Sequence, residues 1–250
     1  PIPSRGLGDV YKRQIKICLI GASGKMGRAV IEEANNYNGI EITNFIVHEN
    51  SKALDLDVGK FHFGKADNKI FKATISHDFD CIIDFATREK IQDRISLYTQ
   101  LKKPILFCTT GLTNHELDDI KNLSQEMPVF IAPNTSLVIA LLQDLVKKVL
   151  NFNNSQKVKI SEKHHKSKLD KPSGTALSFA ELANLHKSEI ESLREGETGN
   201  WHKIQIFDDL EELELKHSAS NGSIYAQGAL KVVKWFYQKP KNLYYMQTLI

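Results

Sequence analysis

Residues 15–35 read IKICLIGASGKMGRAVIEEAN, and this stretch restricts the possible folds more than any other. IKICLIGA (15–22) is a continuous apolar run with β-branched residues, the pattern of a strand buried on both faces. Met26, Val30, Ile31 and Ala34 then recur at helical spacing. Between strand and helix lie Gly21, Ala22, Ser23, Gly24, Lys25, Met26 and Gly27, a G-x-x-G-x-x-G turn. Missing side chains let a pyrophosphate reach the backbone, where free N–H groups at the helix start receive its charge. The plainer alternative is a tight turn without a ligand.

The rhythm continues. IEITNFIV (40–47), CIIDFA (81–86), ILFCTT (105–110) and VFIAPN (129–134) are further apolar runs, with helical patterns near 88–101 and 114–125. Strands alternating with helices predict an α/β, Rossmann-type, doubly wound parallel sheet. From Ser136 the pattern changes. SLVIALLQDLVKKVLNF predicts a long amphipathic helix, KVKISEKHH a half-exposed strand, and residues 173–193 a second helix. KIQIF and LEELELKHSAS alternate as antiparallel strands would, and AQGALKVVKWFYQKP is helical again. This organisation predicts a dinucleotide-binding domain over 15–135 plus about 223–250, and an α+β substrate-binding and oligomerisation domain over 136–222. The first fourteen residues, PIPSRGLGDVYKRQ, have no periodicity and read as a non-native or disordered leader.

Composition narrows the function classes. With 250 residues, 41% of them hydrophobic, the chain can build one large core or two modest ones. A net charge of +3 is too mild for a nucleic-acid binder. No apolar run approaches the roughly 20 residues a membrane helix needs. Cys18, Cys81 and Cys108 lie in separate apolar runs with no metal-like spacing, and read as reduced core thiols of a cytoplasmic protein.

SEKHHKSKLDKPSGTA (161–176) packs two histidines and four lysines into one run. Any charge run is first a solvated loop. A zinc site is disfavoured: adjacent histidines point differently, and no cysteine or third histidine follows at ligand spacing. Nucleic-acid binding would want interleaved aromatics, and the run has none. A pocket for an anion accounts for more of the residues. Ser173, Gly174 and Thr175 open a helix after Pro172, so unpaired N–H groups await a carboxylate, with His165 and Lys168 adding positive charge.

This run resembles the motif E-x-H-H-x-x-K-x-D-x-P-S-G-T-A of the 4-hydroxy-tetrahydrodipicolinate (dihydrodipicolinate) reductase family. GASGKMGR, IIDFAT, CTTGL and APNTS match the family's other landmarks in order, from Ile15 nearly to Ile250. The resemblance implies NADPH- or NADH-dependent reduction of a small dicarboxylate in lysine and diaminopimelate biosynthesis, by a homo-oligomer, a homotetramer in relatives. By position it implies His164 as the active-site histidine and Lys168 as the general acid. His165, Ser173, Gly174 and Thr175 would hold carboxylates. Cys108, Thr109 and Thr110, with Ala132, Pro133, Asn134 and Thr135, would lie beside the nicotinamide. At the end of the second strand Glu49 suits a ribose hydroxyl, while His48 or Lys52 suits a 2′-phosphate, so both cofactors are expected. No metal is expected.

Two departures stand out. Gly222 occupies a place where the family has a carboxylate-binding arginine, a loss worth about 1.5–3 kcal/mol of binding. The stretch from REGETG (194–199) to LELKHSAS (213–220) reads as lacking one strand and its loop. Two rival readings are another Rossmann dehydrogenase of a small dicarboxylate, of aspartate dehydrogenase type, and a catalytically inactive NAD(P)-binding sensor. The first leaves the His-His-x-x-Lys run unexplained; the second is supported only by the departures.

Overall fold

Ile17, Cys18 and Leu19 are completely buried because the strand that carries them lies inside a sheet covered on both faces. The structure, a computed structural model, describes residues 13–152 and 156–250. Residues 1–12 of the expected leader lie outside the described residues; Arg13 pairs with Asp80 at 2.9 Å.

The elements follow in order: β1 (Ile15–Ile20), α1 (Lys25–Asn35), β2 (Ile40–Ile46), α2 (Val58–Phe63), β3 (Cys81–Asp84) and α3 (Ile91–Leu101). Then come β4 (Ile105–Phe107), α4 (Asn114–Asn122), β5 (Pro128–Ile131), α5 (Leu137–Phe152), β6 (Lys157–His164) and α6 (Gly174–Leu182). The chain ends with β7 (Ile190–Arg194), β8 (Asn200–Phe207), β9 (Glu212–Ala219), α7 (Ser223–Phe236) and β10 (Asn242–Tyr245).

Six strands form a parallel sheet in the order β10-β5-β4-β3-β1-β2. Strand residues alternate between its faces. Ile17 and Leu19 pack with Val30 and Ile31 of α1 and with Leu230 and Val233 of α7. Cys18 and Ile20 join Ile91, Ile95 and Tyr98 of α3 and Ile120 of α4. The doubly wound expectation is met, and all three cysteines are free and buried. Among the described residues no helix is long and apolar enough to cross a membrane.

The second sheet has the order β7-β6-β8-β9, parallel between β6 and β7 and antiparallel elsewhere. Ile160, Ile204 and Ile206 of this sheet pack against Ile139, Leu142 and Val146 of α5 and Phe179 of α6. One expectation is corrected here. The helix expected over 173–193 ends at Leu182, and Asn184 turns the chain at φ 53°. Ile190–Arg194 then pairs with β6 as β7, because ladder bonds and burial of Ile190 outweigh the segment's helical spacing. Between β7 and β9 the stretch forms one strand, β8 (Asn200–Phe207). β8 and β9 pair from Asn200↔Ala219 to Phe207↔Glu212, and the Asp208 carboxylate accepts from the N–H groups of Leu210 and Glu211 in the turn.

After β9 the chain returns to the first domain. α7 packs on α1, and β10, unanticipated in the sequence, adds a parallel strand beside β5. Thr135, just after β5, donates its hydroxyl to the Tyr225 carbonyl at 2.6 Å. A Cβ on Gly228 would meet the Thr135 carbonyl oxygen at 1.8 Å, so only glycine lets α7 approach this closely. Gly228→Ala is therefore expected to lower unfolding free energy by about 1–3 kcal/mol, the cost of overpacking. Urea denaturation reads this directly; an unchanged midpoint would mean that α7 can shift away from Thr135.

Candidate active site

The strand ends of the first sheet define one side of the site. Gly21 has φ +78°, and a Cβ there would lie 2.9 Å from the backbone of Phe85 and Ala86. A Cβ on Gly27 would lie 2.5 Å from the carbonyl oxygens of Gly21 and Ala22. These two glycines are required by the turn itself. Gly24 differs: it is exposed and extended, and its nearest obstacle is the Gly21 carbonyl oxygen at 3.3 Å. It caps α1 with no side-chain bond and no acidic residue in the first turn, leaving that turn's N–H groups free for a phosphate. Ser23, Lys25 and Met26 complete the loop at the surface, while Ala22 is buried. Behind it, the buried His62 of α2 donates from Nε2 to the Ala22 carbonyl at 2.9 Å. Burial lowers the pKa of His62, and a neutral ring protonated at Nε2 makes this bond.

The neighbouring loops are pinned from below. Asp84 is fully buried and accepts from Arg94 Nε (2.9 Å), Tyr98 Oη (2.9 Å) and the Ala86 N–H (2.8 Å). Burial raises its pKa, and these donors oppose the rise. Arg94 also donates to the carbonyls of Thr87 and Glu89. Thr109 donates to the Ala86 carbonyl at 3.1 Å, and Cys108 is buried beside it. Thr110 and Pro133 are exposed, whereas Ala132 is buried and its N–H bonds the Phe107 carbonyl at 2.8 Å. Glu49, at the end of β2, is exposed and paired with Lys90 at 2.8 Å, whose bond and charge hold its carboxyl low.

The basic loop supplies the other side. Ser173 caps α6, its Oγ accepting from the Ala176 N–H at 3.2 Å. A Cβ on Gly174 would meet nothing within 4 Å, so open space lies over the start of the helix. Asn134 of the first domain donates to Thr175 Oγ1 at 2.9 Å, tying the loop after β5 to this helix start. His164 is buried at the end of β6, whereas His165 is partly exposed and bonds Ser167 through Nδ1 at 2.7 Å. The pKa of His165 is lowered, by burial first and then by the positive charge of Lys25 in the glycine loop. Lys168 is held by Asp170 at 2.7 Å.

Beneath His164 lies a cluster that sequence reasoning missed. Glu162 has no solvent exposure. Its Oε1 accepts from the Ser173 N–H and from Arg194 of β7, both at 3.0 Å. Its Oε2 faces His164 Nε2 at 3.3 Å and His202 Nε2 at 3.7 Å. Burial pushes the Glu162 carboxyl up, but the His164 ring beside Oε2 and the bonds from Ser173 outweigh it and lower its pKa. His202, buried on β8, is pushed down to about 3, by burial first and by the charge of His164. The expectation of no metal rested on spacing along the chain. Strand pairing places His202 opposite Glu162, and Glu162, His164 and His202 bring one potential ligand atom each within 4.8 Å of one another. Glu162 and Asp170 lay inside the quoted motif; Arg194 and His202 sit on other strands with no local signal.

A parallel sheet with a glycine turn at its first strand end, facing a basic anion-binding loop, defines a two-domain nicotinamide-nucleotide oxidoreductase. The family model for the N-terminus of dihydrodipicolinate reductase matches residues 15–135, and that for its C-terminus matches residues 138–250. The chain belongs to the dihydrodipicolinate reductase family. It is 32% identical to the 4-hydroxy-tetrahydrodipicolinate reductase of Rickettsia canadensis over 94% of this chain and 98% of that protein. With the reductase of Pseudoalteromonas atlantica it shares 31% identity over 94% and 98%. In fold it resembles the dipicolinate-bound dihydrodipicolinate reductase from Paenisporosarcina sp. TG-14, with TM-score 0.77 and 19% identity, covering 95% of this chain and 100% of that one.

The three glycines separate binding from folding. Gly24→Val is expected to weaken NADH at least about tenfold while leaving the thermal midpoint near that of the unsubstituted protein, because only the ligand's approach is blocked. Gly27→Ala is expected to lower the midpoint itself. Fluorescence titration with NADH and thermal melts check both; undiminished affinity in a folded Gly24→Val would make the loop a turn only.

Proposed function

We propose that this chain reduces 4-hydroxy-tetrahydrodipicolinate to tetrahydrodipicolinate, accepting NADH or NADPH, for lysine and diaminopimelate biosynthesis. The observation that carries this reading is the Asn134–Thr175 hydrogen bond, which joins the cofactor-side loop to the anion-binding helix start across the cleft. The nicotinamide supplies the hydride. The protein supplies position and charge.

Backbone N–H groups at Gly174 and Thr175, with His165, receive the substrate's carboxylates, while Ser173, expected to join them, is buried with its N–H already given to Glu162. Lys168, oriented by Asp170, donates the proton that the ring carbon needs after hydride arrives. His164, backed by Glu162, lies at the floor of this pocket and orients or relays that proton. Glu49 serves a ribose hydroxyl, while Lys90 and His48 beside it offer charge to a 2′-phosphate, which accounts for use of both cofactors. A homotetramer follows from the family resemblance, and the four-stranded second sheet is available to build it. Three free buried thiols suit the cytoplasm.

The test is nicotinamide oxidation with dihydrodipicolinate synthase generating the substrate. Absence of turnover in a preparation that binds NADH would reject the reductase reading. Lys168→Ala is expected to lower kcat by about 10²–10⁴-fold, the worth of general acid catalysis, with NADH affinity retained. A loss under about fivefold, with chemistry rate-limiting, would remove Lys168 from the mechanism. Gly222 has φ −82°, and a Cβ there would meet nothing within 4 Å, so a side chain enters open space without backbone strain. Gly222→Arg is therefore expected to lower the substrate KM, by no more than about 1.5–3 kcal/mol of added binding. An unchanged KM in the folded variant would show that this helix start does not face the substrate.

A further inference from the structure

We propose that Glu162, His164 and His202 form a site for a divalent transition-metal ion of the Zn2+ type, and that filling it switches the active site off. Glu162 and His202 are directly opposed on the antiparallel strands β6 and β8, and His164 stands two residues beyond Glu162 on the same face. The three side chains are therefore delivered by sheet register rather than by a mobile loop.

Their spacing is that of metal ligands. Glu162 Oε2 and His164 Nε2 are 3.3 Å apart, the two Nε2 atoms 3.4 Å, and Glu162 Oε2 and His202 Nε2 3.7 Å. Ligand atoms about 2.0–2.1 Å from a tetrahedral zinc ion stand about 3.3–3.4 Å from one another. The triangle thus has nearly the size of one face of such a site. Two imidazole nitrogens and one carboxylate oxygen select Zn2+, Co2+ or Cu2+ over Mg2+ or Ca2+, which prefer oxygen.

The surroundings point the same way. Glu162 Oε2 is buried and accepts no well-formed hydrogen bond. Its partner Oε1 is held by the Ser173 N–H and by Arg194, which fix the carboxylate and leave Oε2 facing the histidines. Ser173 Oγ lies 3.2 Å from His202 Nε2, within reach of the fourth corner, which otherwise goes to water. An ion here takes the Nε2 lone pair of His164 and clamps β6 to β8 beneath the anion-binding helix. Inhibition rests on the reductase reading. Binding does not.

The experiment uses the full chain, stripped with EDTA and titrated with Zn2+ by calorimetry. One ion per chain at micromolar affinity or tighter is expected, and His202→Gln and Glu162→Gln should each weaken it at least about tenfold. Absence of a stoichiometric site, or undiminished binding in both folded variants, overturns the proposal, since exposed histidines would then be the hosts. Should either variant fail to fold, Co2+ bound to the unsubstituted protein decides. The intense visible absorption of a four-coordinate ion, displaced by Zn2+, supports the site, and a weak six-coordinate spectrum rejects it. In the coupled assay turnover should fall as the site fills and return with EDTA, with the synthase checked alone. Stoichiometric binding that leaves turnover intact overturns the switch. A protein that binds Zn2+ at these residues but never turns over rejects the reductase reading and retains the metal site.

Discussion

A carboxylate without solvent contact has to be answered by charge and hydrogen bonds, and Glu162 is answered from four directions. Arg194 of β7 and the Ser173 N–H at the start of α6 donate to it, while the His164 ring of β6 itself and the His202 ring of β8 stand beside Oε2 at 3.3 and 3.7 Å. The order β7-β6-β8 is what brings these groups together. Removing one partner of a buried pair costs about 3–5 kcal/mol, because the other charge stays behind. The floor of the pocket and the fold of the second domain therefore share one electrostatic constraint. His164 and the anion-binding helix are held through the same carboxyl group, so neither can be displaced without disturbing the other.

Local features were legible in the sequence, and their legibility has a physical cause. β1, the glycine turn and α1 are contiguous, and each declares its state through periodicity or missing side chains. The basic run likewise carries His164, Lys168 and the Ser173 cap within thirteen residues of Glu162. What escaped was set by pairing across space. Ile190–Arg194 reads as helix until β6 offers it a parallel ladder. β10 is four residues long, too short to show alternation, and exists because β5 lies beside it. His202 is thirty-eight residues from His164, and no spacing rule reaches that far. His62 gave no signal either, since its one functional atom points at a backbone carbonyl.

The stretch around 200–213 is compact for a physical reason. Its acidic run, DDLEELE, carries few apolar residues, because β9 presents an exposed face and lies at the sheet edge. Turn chemistry at Asp208 substitutes for a longer loop. Economy there does not reach the pocket, since His202 on β8 remains in register with Glu162.

The two domains are joined where the chemistry requires them to be. Asn134 reaches across to Thr175, its neighbour Thr135 anchors the Tyr225 carbonyl, and Gly228 allows α7 to close on that same turn. Three residues before Tyr225 stands Gly222, at the start of α7 with open space around it. The backbone on which a family arginine would stand is thus intact, and the junction that carries it is tightly built. Absence of a side chain there leaves the frame unaltered. A site organised on backbone N–H groups and a buried carboxylate hub keeps its geometry after losing one peripheral side chain. Gly222 is thus a position where a side chain can be added without cost to the architecture.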